Sequence, residues 1–153
     1  ILQNLLRERV SIKDAGSILE AMGEGAGITR NPNLLTEYVR QSIRRAIVKP
    51  YLNAAGDLPA YFVDSEIERI IESAVEHGEQ GSHLNLSPQQ IRSIVDRITK
   101  TLPGADSGLV ILSSSGARHF LRQIIENALP GVAIVGQNEI PSGVRVLCLG
   151  TIK

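Results

Sequence analysis

Apolar residues recur at helical spacing from the start of the chain. Ile1, Leu2, Leu5, Leu6 and Val10 share one face of a first helix. Ser11 follows as a candidate N-cap, with Asp14 three positions on as its box partner. The second helix carries Ala15, Ile18, Leu19 and Met22 on one side and is expected to stop at Gly23, Gly25 and Gly27. Asn31 caps a third helix, with Pro32 at its first position. Leu34, Leu35, Tyr38, Val39, Ile43, Ala46 and Ile47 form its apolar stripe, and Pro50 ends it.

The pattern changes after the loop Asn53–Asp57, from helices alone to strands and helices in alternation. Tyr61–Val63 reads as a short strand, with Pro59 marking an edge or first position. Ser65 and Glu68 form a capping box ahead of a stripe of Ile67, Ile70, Ile71, Ala74 and Val75. Residues 77–86 are polar, hold two glycines and read as a loop. Ser87 and Gln90 box the next helix, lined by Ile91, Ile94, Val95, Ile98 and Leu102. Leu109–Leu112 and Val132–Val135 are apolar strands on either side of a helix over Phe120, Leu121, Ile124, Ile125 and Leu129. Such a β-α-β unit implies parallel strands and a right-handed crossover. Val144–Leu149 is a last strand, and near-continuous apolar strands imply a sheet covered on both faces. The expected class is therefore α+β or α/β. A helical subdomain over 1–55 precedes a small α/β subdomain over 56–153 with a mostly parallel sheet.

Composition narrows the function. Hydrophobic residues make up 42% of the 153, which implies a folded core. Aromatics are only 3%, so stacking platforms for single-stranded nucleic acid are scarce. Lys+Arg and Asp+Glu are both 16, so nothing steers the whole chain toward polyanions. No apolar run approaches the roughly 20 residues that a membrane helix needs. The chain begins at Ile1, not methionine, and reads as a soluble fragment whose missing part holds any membrane spans. Cys148 is the only cysteine, which fits a reducing compartment, and its apolar run Val146–Leu149 makes it a buried small hydrophobe.

Candidate chemistry is sparse. Gly23-Glu24-Gly25-Ala26-Gly27 follows a helix and precedes no Lys-Ser/Thr, so it terminates a helix and does not cradle phosphate. Ser114, Ser115 and Gly116 follow a strand and open a helix, the geometry of an anion site, although serine capping explains the same residues. His119 has no evident acidic partner for a serine nucleophile. His77, His83 and His119 show no metal spacing. No cofactor motif is present, and the chain reads as a binding protein, not an enzyme. Arg40, Arg44 and Arg45, with Lys49, form a basic face on the third helix: a solvated surface, or the contact for a partner or another subunit. An alternative is a nucleic-acid-binding regulator with a winged-helix-like start, in which Ser11–Met22 stands for the first helix and turn.

Three blocks carry a resemblance. Leu2–Ile12 (LQNLLRERVSI), followed by Ile18–Ala21, Pro32–Arg40 (PNLLTEYVR) and Asn138–Pro141 (NEIP) are similar, in order and spacing, to the cytoplasmic part of the FlhA export-gate family of type III secretion. The last block leans toward the flagellar branch. The resemblance implies the cytoplasmic face of a bacterial inner membrane, with membrane contact only through an absent N-terminal part. It implies self-assembly into a ring, usually nonameric, that receives flagellar export chaperones with their substrates and communicates with the export ATPase complex. The balanced net charge and the few aromatics count against nucleic acid as a partner. The two subdomains would be the third and fourth of the family's cytoplasmic part. Gly23–Gly27 and Ser113–Gly116 depart from the family pattern, and Asn31 stands where an acidic residue is common.

Overall fold

The computed structural model describes residues 1–102 and 108–153. Helix α1 (Leu2–Arg7) ends sooner than its apolar stripe, because Arg9 turns the chain with φ 61°. The Arg9 and Val10 N–H groups donate back to Leu6 and Leu5 carbonyls at 2.9 Å each, a Schellman closure that returns Val10 to the core beside Leu5. Helix α2 (Ala15–Ala26) starts later than the Ser11 reading. Its cap is Asp14, whose carboxylate accepts from Ser17 N–H at 3.1 Å, while the Ser11 hydroxyl holds the Lys13 N–H in a local turn. α2 runs through Gly23 and Gly25, and only Gly27 caps it.

Helix α3 (Pro32–Ser42) is capped by Asn31 as expected. The same side chain reaches further: its amide donates to Gly78 O at 2.7 Å and to Ser82 Oγ at 3.0 Å. An aspartate would cap equally well but has no N–H for the Gly78 carbonyl, which accounts physically for asparagine here. The expected single third helix breaks at Ile43, and α4 (Arg44–Val48) continues it. The Arg44 Nη1 donates to the Gln41 carbonyl freed by the break, at 3.1 Å.

The sheet holds β1 (Leu58–Val63), β4 (Val110–Ser113), β5 (Ala133–Gly136) and β6 (Val146–Ile152), in the order β5-β4-β1-β6 with every pairing parallel. Helices α5 (Ser65–Ser73), α6 (Pro88–Thr101) and α7 (Arg118–Ile125) connect its strands. α5 is capped by Asp64, one residue before the expected Ser65, whereas the Ser87–Gln90 box on α6 is present as read. Part of the expected loop 77–86 is instead an antiparallel hairpin of β2 (Val75–His77) and β3 (Ser82–Leu84). Its strands are three residues each, too short to show alternation, and the Asn31 amide anchors it.

Strand alternation divides the core between the two faces of the sheet. Leu58, Ala60, Val110 and Val135 face α1–α4, in one cluster with Leu5, Ile18, Val39 and Ile47. Val63, Ile111, Ile134 and Ile152 face α5–α7, in a second cluster with Ile67, Ile98 and Leu121. Residues on both sides of position 55 thus share the first cluster. Along β6 the register slips at Leu149, between the pairs Ala60–Cys148 and Tyr61–Gly150. That one-residue slip puts Val146 on one face and Ile152 on the other, despite their even spacing. Because β6 is an edge strand, Cys148 is exposed, contrary to the buried cysteine expected from its apolar run.

The two α2 glycines give substitutions of opposite sign. A Cβ on Gly23 meets nothing within 4 Å, so Gly23→Ala should stabilise by about 0.5–1 kcal/mol through helix propensity. A Cβ on Gly25 would lie 2.5 Å from Leu35 Cδ1 and 2.9 Å from Tyr38 Cδ1, so Gly25→Ala should cost about 1–2 kcal/mol by forcing α2 off α3. Urea unfolding of both variants checks the pair. Asn31→Asp should keep the α3 cap yet lose about 1–3 kcal/mol, through the stranded Gly78 carbonyl. Protection of the β2–β3 hairpin amides in hydrogen exchange should fall with it.

Candidate functional site

The three sequence blocks that carry the family resemblance meet in one buried ionic cluster. Glu8 comes from the first block, at the Schellman turn that closes α1. Glu37 and Arg40 come from the second block, on α3. Glu139 comes from the third, in the 3-10 turn Gln137–Glu139 after β5. Arg118, at the start of α7 and only 1% exposed, joins them.

All five N–H donors of Arg118 are used. Nε and Nη2 donate to the two Glu37 oxygens at 2.6 and 2.8 Å, and Nη1 and Nη2 to the two Glu8 oxygens at 2.7 and 2.9 Å. Nη1 also donates to the Ile134 carbonyl at 3.1 Å. Arg40 grips Glu139 in the same two-pronged way, at 2.7 and 3.1 Å, and reaches the same carbonyl at 3.3 Å. Glu139 in turn accepts from the Gly136 N–H at 2.9 Å. The Arg122 guanidinium donates to Val132 O at 2.8 Å and Pro130 O at 3.3 Å. Residues 132, 134 and 136 are those whose backbone groups point away from β4, toward the open edge of β5. Side chains thus take the place of a fifth strand.

Burial pushes the Glu8 carboxyl up, but the Arg118 guanidinium, helped by Arg40 and Arg122, outweighs it and holds Glu8 below its ordinary value of 4.5. Burial also opposes the charge on Arg118, and Glu37 and Glu8 outweigh it, so Arg118 stays ionised. Glu37 is pushed above its ordinary value by burial, against the pull of Arg118.

The expected basic face therefore divides. Arg40 points inward, 2% exposed, because Glu139 and the Ile134 carbonyl receive it. Arg45 is exposed and Arg44 half-buried. Together with Lys13, Ser17 and Ser42 they line an open groove of about 410 Å³ where the start of α2 meets the α3–α4 break, with Asp14 as its acid. The expected anion loop is occupied by the protein's own carboxylates. Ser114 N–H donates to Glu68 at 3.1 Å, and Ser114 Oγ donates to Glu72 at 2.5 Å. A Cβ on the exposed Gly116 would lie 2.9 Å from Glu72, and Ser115 faces solvent. An outside anion at Ser114–Gly116 would meet these carboxylates. Arg118 and Arg122 were not singled out from sequence. The available signal is that they sit at i and i+4 on the α7 face that also carries Leu121 and Ile125. No group of His, Cys, Asp and Glu among the described residues forms a metal cluster, and no helix there is long and apolar enough to cross a membrane.

The FHIPEP family matches residues 1–145. The low calcium response locus protein D of Yersinia pestis is 36% identical over 155 residues, covering 99% of this chain and 22% of that protein. The flagellar biosynthesis protein FlhA of Bacillus subtilis is 28% identical, covering 99% and 23%. The chain thus spans about a fifth of the length of these relatives. Among solved structures, the Chlamydia pneumoniae CdsV protein superposes with a TM-score of 0.91 at 32% identity, covering 99% of this chain and 44% of that one. CdsV in complex with CdsO gives 0.89 at 32% identity, covering 99% and 46%. Nonameric EPEC SctV-C gives 0.88 at 28% identity, again covering 99% and 46%. These structures share the order of helices and the mostly parallel sheet found here.

Removing one partner of a buried pair leaves the other charge stranded, at about 3–5 kcal/mol. Arg118→Met should therefore lose about that much stability near neutral pH. The pH dependence has a definite sign. In the native protein the Glu8 contribution is complete above 4.5 and is lost as pH falls through its lowered folded value, while Glu37, raised, works in the opposite sense. Without Arg118, only Arg40 remains within ion-pair distance of the two carboxyls, at 3.9 Å from each, so burial meets less opposition and both take up protons more readily in the folded state than in the native protein. The deficit should shrink as pH falls toward 4.5 and below. Urea unfolding of both proteins across that range checks it; a deficit constant with pH contradicts the ionic account.

Proposed function

The chain belongs to the FHIPEP family, and from that premise we propose that it is a non-catalytic scaffold and docking module of a type III protein-export gate. In this reading the longer protein is held at the cytoplasmic face of the bacterial inner membrane by a part outside this chain. Residues 1–55 and 56–153 act as its third and fourth cytoplasmic subdomains. They contribute to a ring of identical copies that receives chaperones with their substrates and the export ATPase complex. The observation that carries the reading is the convergence of all three resembling blocks on the Glu8–Glu37–Arg40–Arg118–Glu139 cluster, which holds the helical layer to the sheet. The nonameric assembly of EPEC SctV-C and the complex of CdsV with CdsO support ring formation and docking. The flagellar branch, suggested by Asn138–Pro141, draws less support, since the Yersinia pestis relative is 36% identical against 28% for the flagellar one.

Within this reading Arg44 and Arg45, on the groove with Lys13, contact an acidic surface of a neighbouring copy or of a partner. In the complete cytoplasmic part, Arg44→Glu with Arg45→Glu should weaken ring assembly or partner binding by about tenfold or more, with the fold unchanged by circular dichroism. Native mass spectrometry and crosslinking measure both. Unaltered assembly and binding would remove these two arginines from the interface. Failure of the unmodified protein to contact itself or any export component would sink the docking role. Salt-sensitive duplex binding that requires Arg44 and Arg45 would instead favour the nucleic-acid regulator.

A further inference from the structure

The chain as a whole carries no net charge, yet four unpaired cations share one surface. Arg9, Lys13, Arg44 and Arg45 form no ion pair among the described residues. Lys13, Arg44 and Arg45 line the groove at the start of α2. Asp14 is the acid there, and its carboxylate already accepts from the Ser17 N–H. The floor is apolar: Ile18 and Ile43 are 1% and 7% exposed, beside Ala46. At Ser11 and Ala46 the groove meets a smaller cavity of about 90 Å³, which Arg9 lines. Glu8 lines that cavity too, but Arg118 holds both its oxygens.

Arg9 is the second observation. Among the described residues it is the non-glycine residue with positive φ, at 61°. The turn it makes after α1 is one that glycine closes with the least strain. Its backbone N–H serves that turn, at 2.9 Å from the Leu6 carbonyl, while the residue itself is exposed and its guanidinium forms no ion pair. Backbone strain of this kind points to a use for the side chain outside its own fold.

Four cations less the one carboxylate of Asp14 leave three positive charges for a ligand to balance. We propose that this surface docks an extended acidic segment of a partner protein, with an apolar side chain on Ile18 and Ile43 and carboxylates on Arg9, Lys13, Arg44 and Arg45. The proposal rests on the docking reading above and names the chemistry of the partner. Guanidinium forks grip carboxylates in two-pronged fashion, which suits three arginines to acidic side chains. The floor formed by Ile18, Ile43 and Ala46 is aliphatic, so it receives a Leu or Val side chain and offers no stacking platform for a base.

The test measures the fluorescence anisotropy of a labelled, capped peptide, Glu-Glu-Leu-Glu-Glu, on the complete cytoplasmic part. The comparison probes are Gln-Gln-Leu-Gln-Gln, Glu-Glu-Ser-Glu-Glu and a thymidine pentanucleotide of equal charge. Saturable binding of the first peptide is expected, falling with rising salt. Glutamine for glutamate should weaken it about tenfold or more, and serine for leucine about threefold or more. Lys13→Glu and Arg44→Glu should each weaken binding about tenfold. Arg9→Gly separates binding from folding: affinity should drop about threefold or more while the midpoint of urea unfolding holds or rises. No saturable binding, binding unchanged by the three variants, or equal binding of the pentanucleotide would each overturn the site. If the peptide does not bind while Arg44→Glu with Arg45→Glu still impairs ring assembly, the surface belongs to a neighbouring copy, the acidic segment is wrong and the docking reading stands. If neither is affected, both fall.

Discussion

Arg118 reaches two carboxylates from separate parts of the helical layer and a carbonyl of the sheet, with no donor left over. The apolar cluster between α1–α4 and the sheet is non-directional, so by itself it would tolerate small slides and rotations of the helices. The fork of a guanidinium does not. By gripping Glu8 and Glu37 together it fixes the turn after α1 and the pitch of α3 in one step. Arg40 and Glu139 repeat the constraint one turn along. Such a cluster adds little net stability over an apolar replacement, and its worth here is orientation: it sets how the helical layer lies on the sheet.

The same side chains solve a second problem. A strand at the margin of a sheet presents unpaired backbone groups that invite another chain. At β5 those groups at 132, 134 and 136 are taken by Arg122, by Arg40 and Arg118, and by Glu139. At β6 the treatment differs. The slip at Leu149 interrupts the regular pairing, and that residue stands 52% exposed. One margin is closed by chemistry and the other is made irregular. The groove of Arg44 and Arg45 lies on the helical layer, away from both margins.

Much of this order is readable from sequence where a signal is local. The Ser87–Gln90 box, the Asn31–Pro32 start, the apolar runs of β4 and β5 and the mostly parallel sheet all depend on neighbours within a few positions. Reading failed where distant contacts decide. Gly25 looks like a helix stop, yet it lies within α2 because Leu35 and Tyr38 crowd the space where a side chain would sit. Arg40 looks like part of a solvated face because its partner is 99 positions away. Cys148 looks buried because apolar neighbours do not reveal that β6 has a bare side. The motif blocks were visible, but not that they meet, since the arginine that joins them lies in a fourth segment with no motif of its own.

The cluster also bears on the order of events in folding. Glu8 and Arg118 are 110 positions apart, and Ile134 offers its carbonyl only after β5 has paired with β4. Closing so long a loop is entropically costly, and ionic donors stay hydrated until the layers dock. The pairs therefore belong to the native side of the rate-limiting barrier. Interactions formed that late act mainly on how slowly a protein opens and little on how fast it closes. The fold gains persistence from this arrangement even when its equilibrium stability is ordinary.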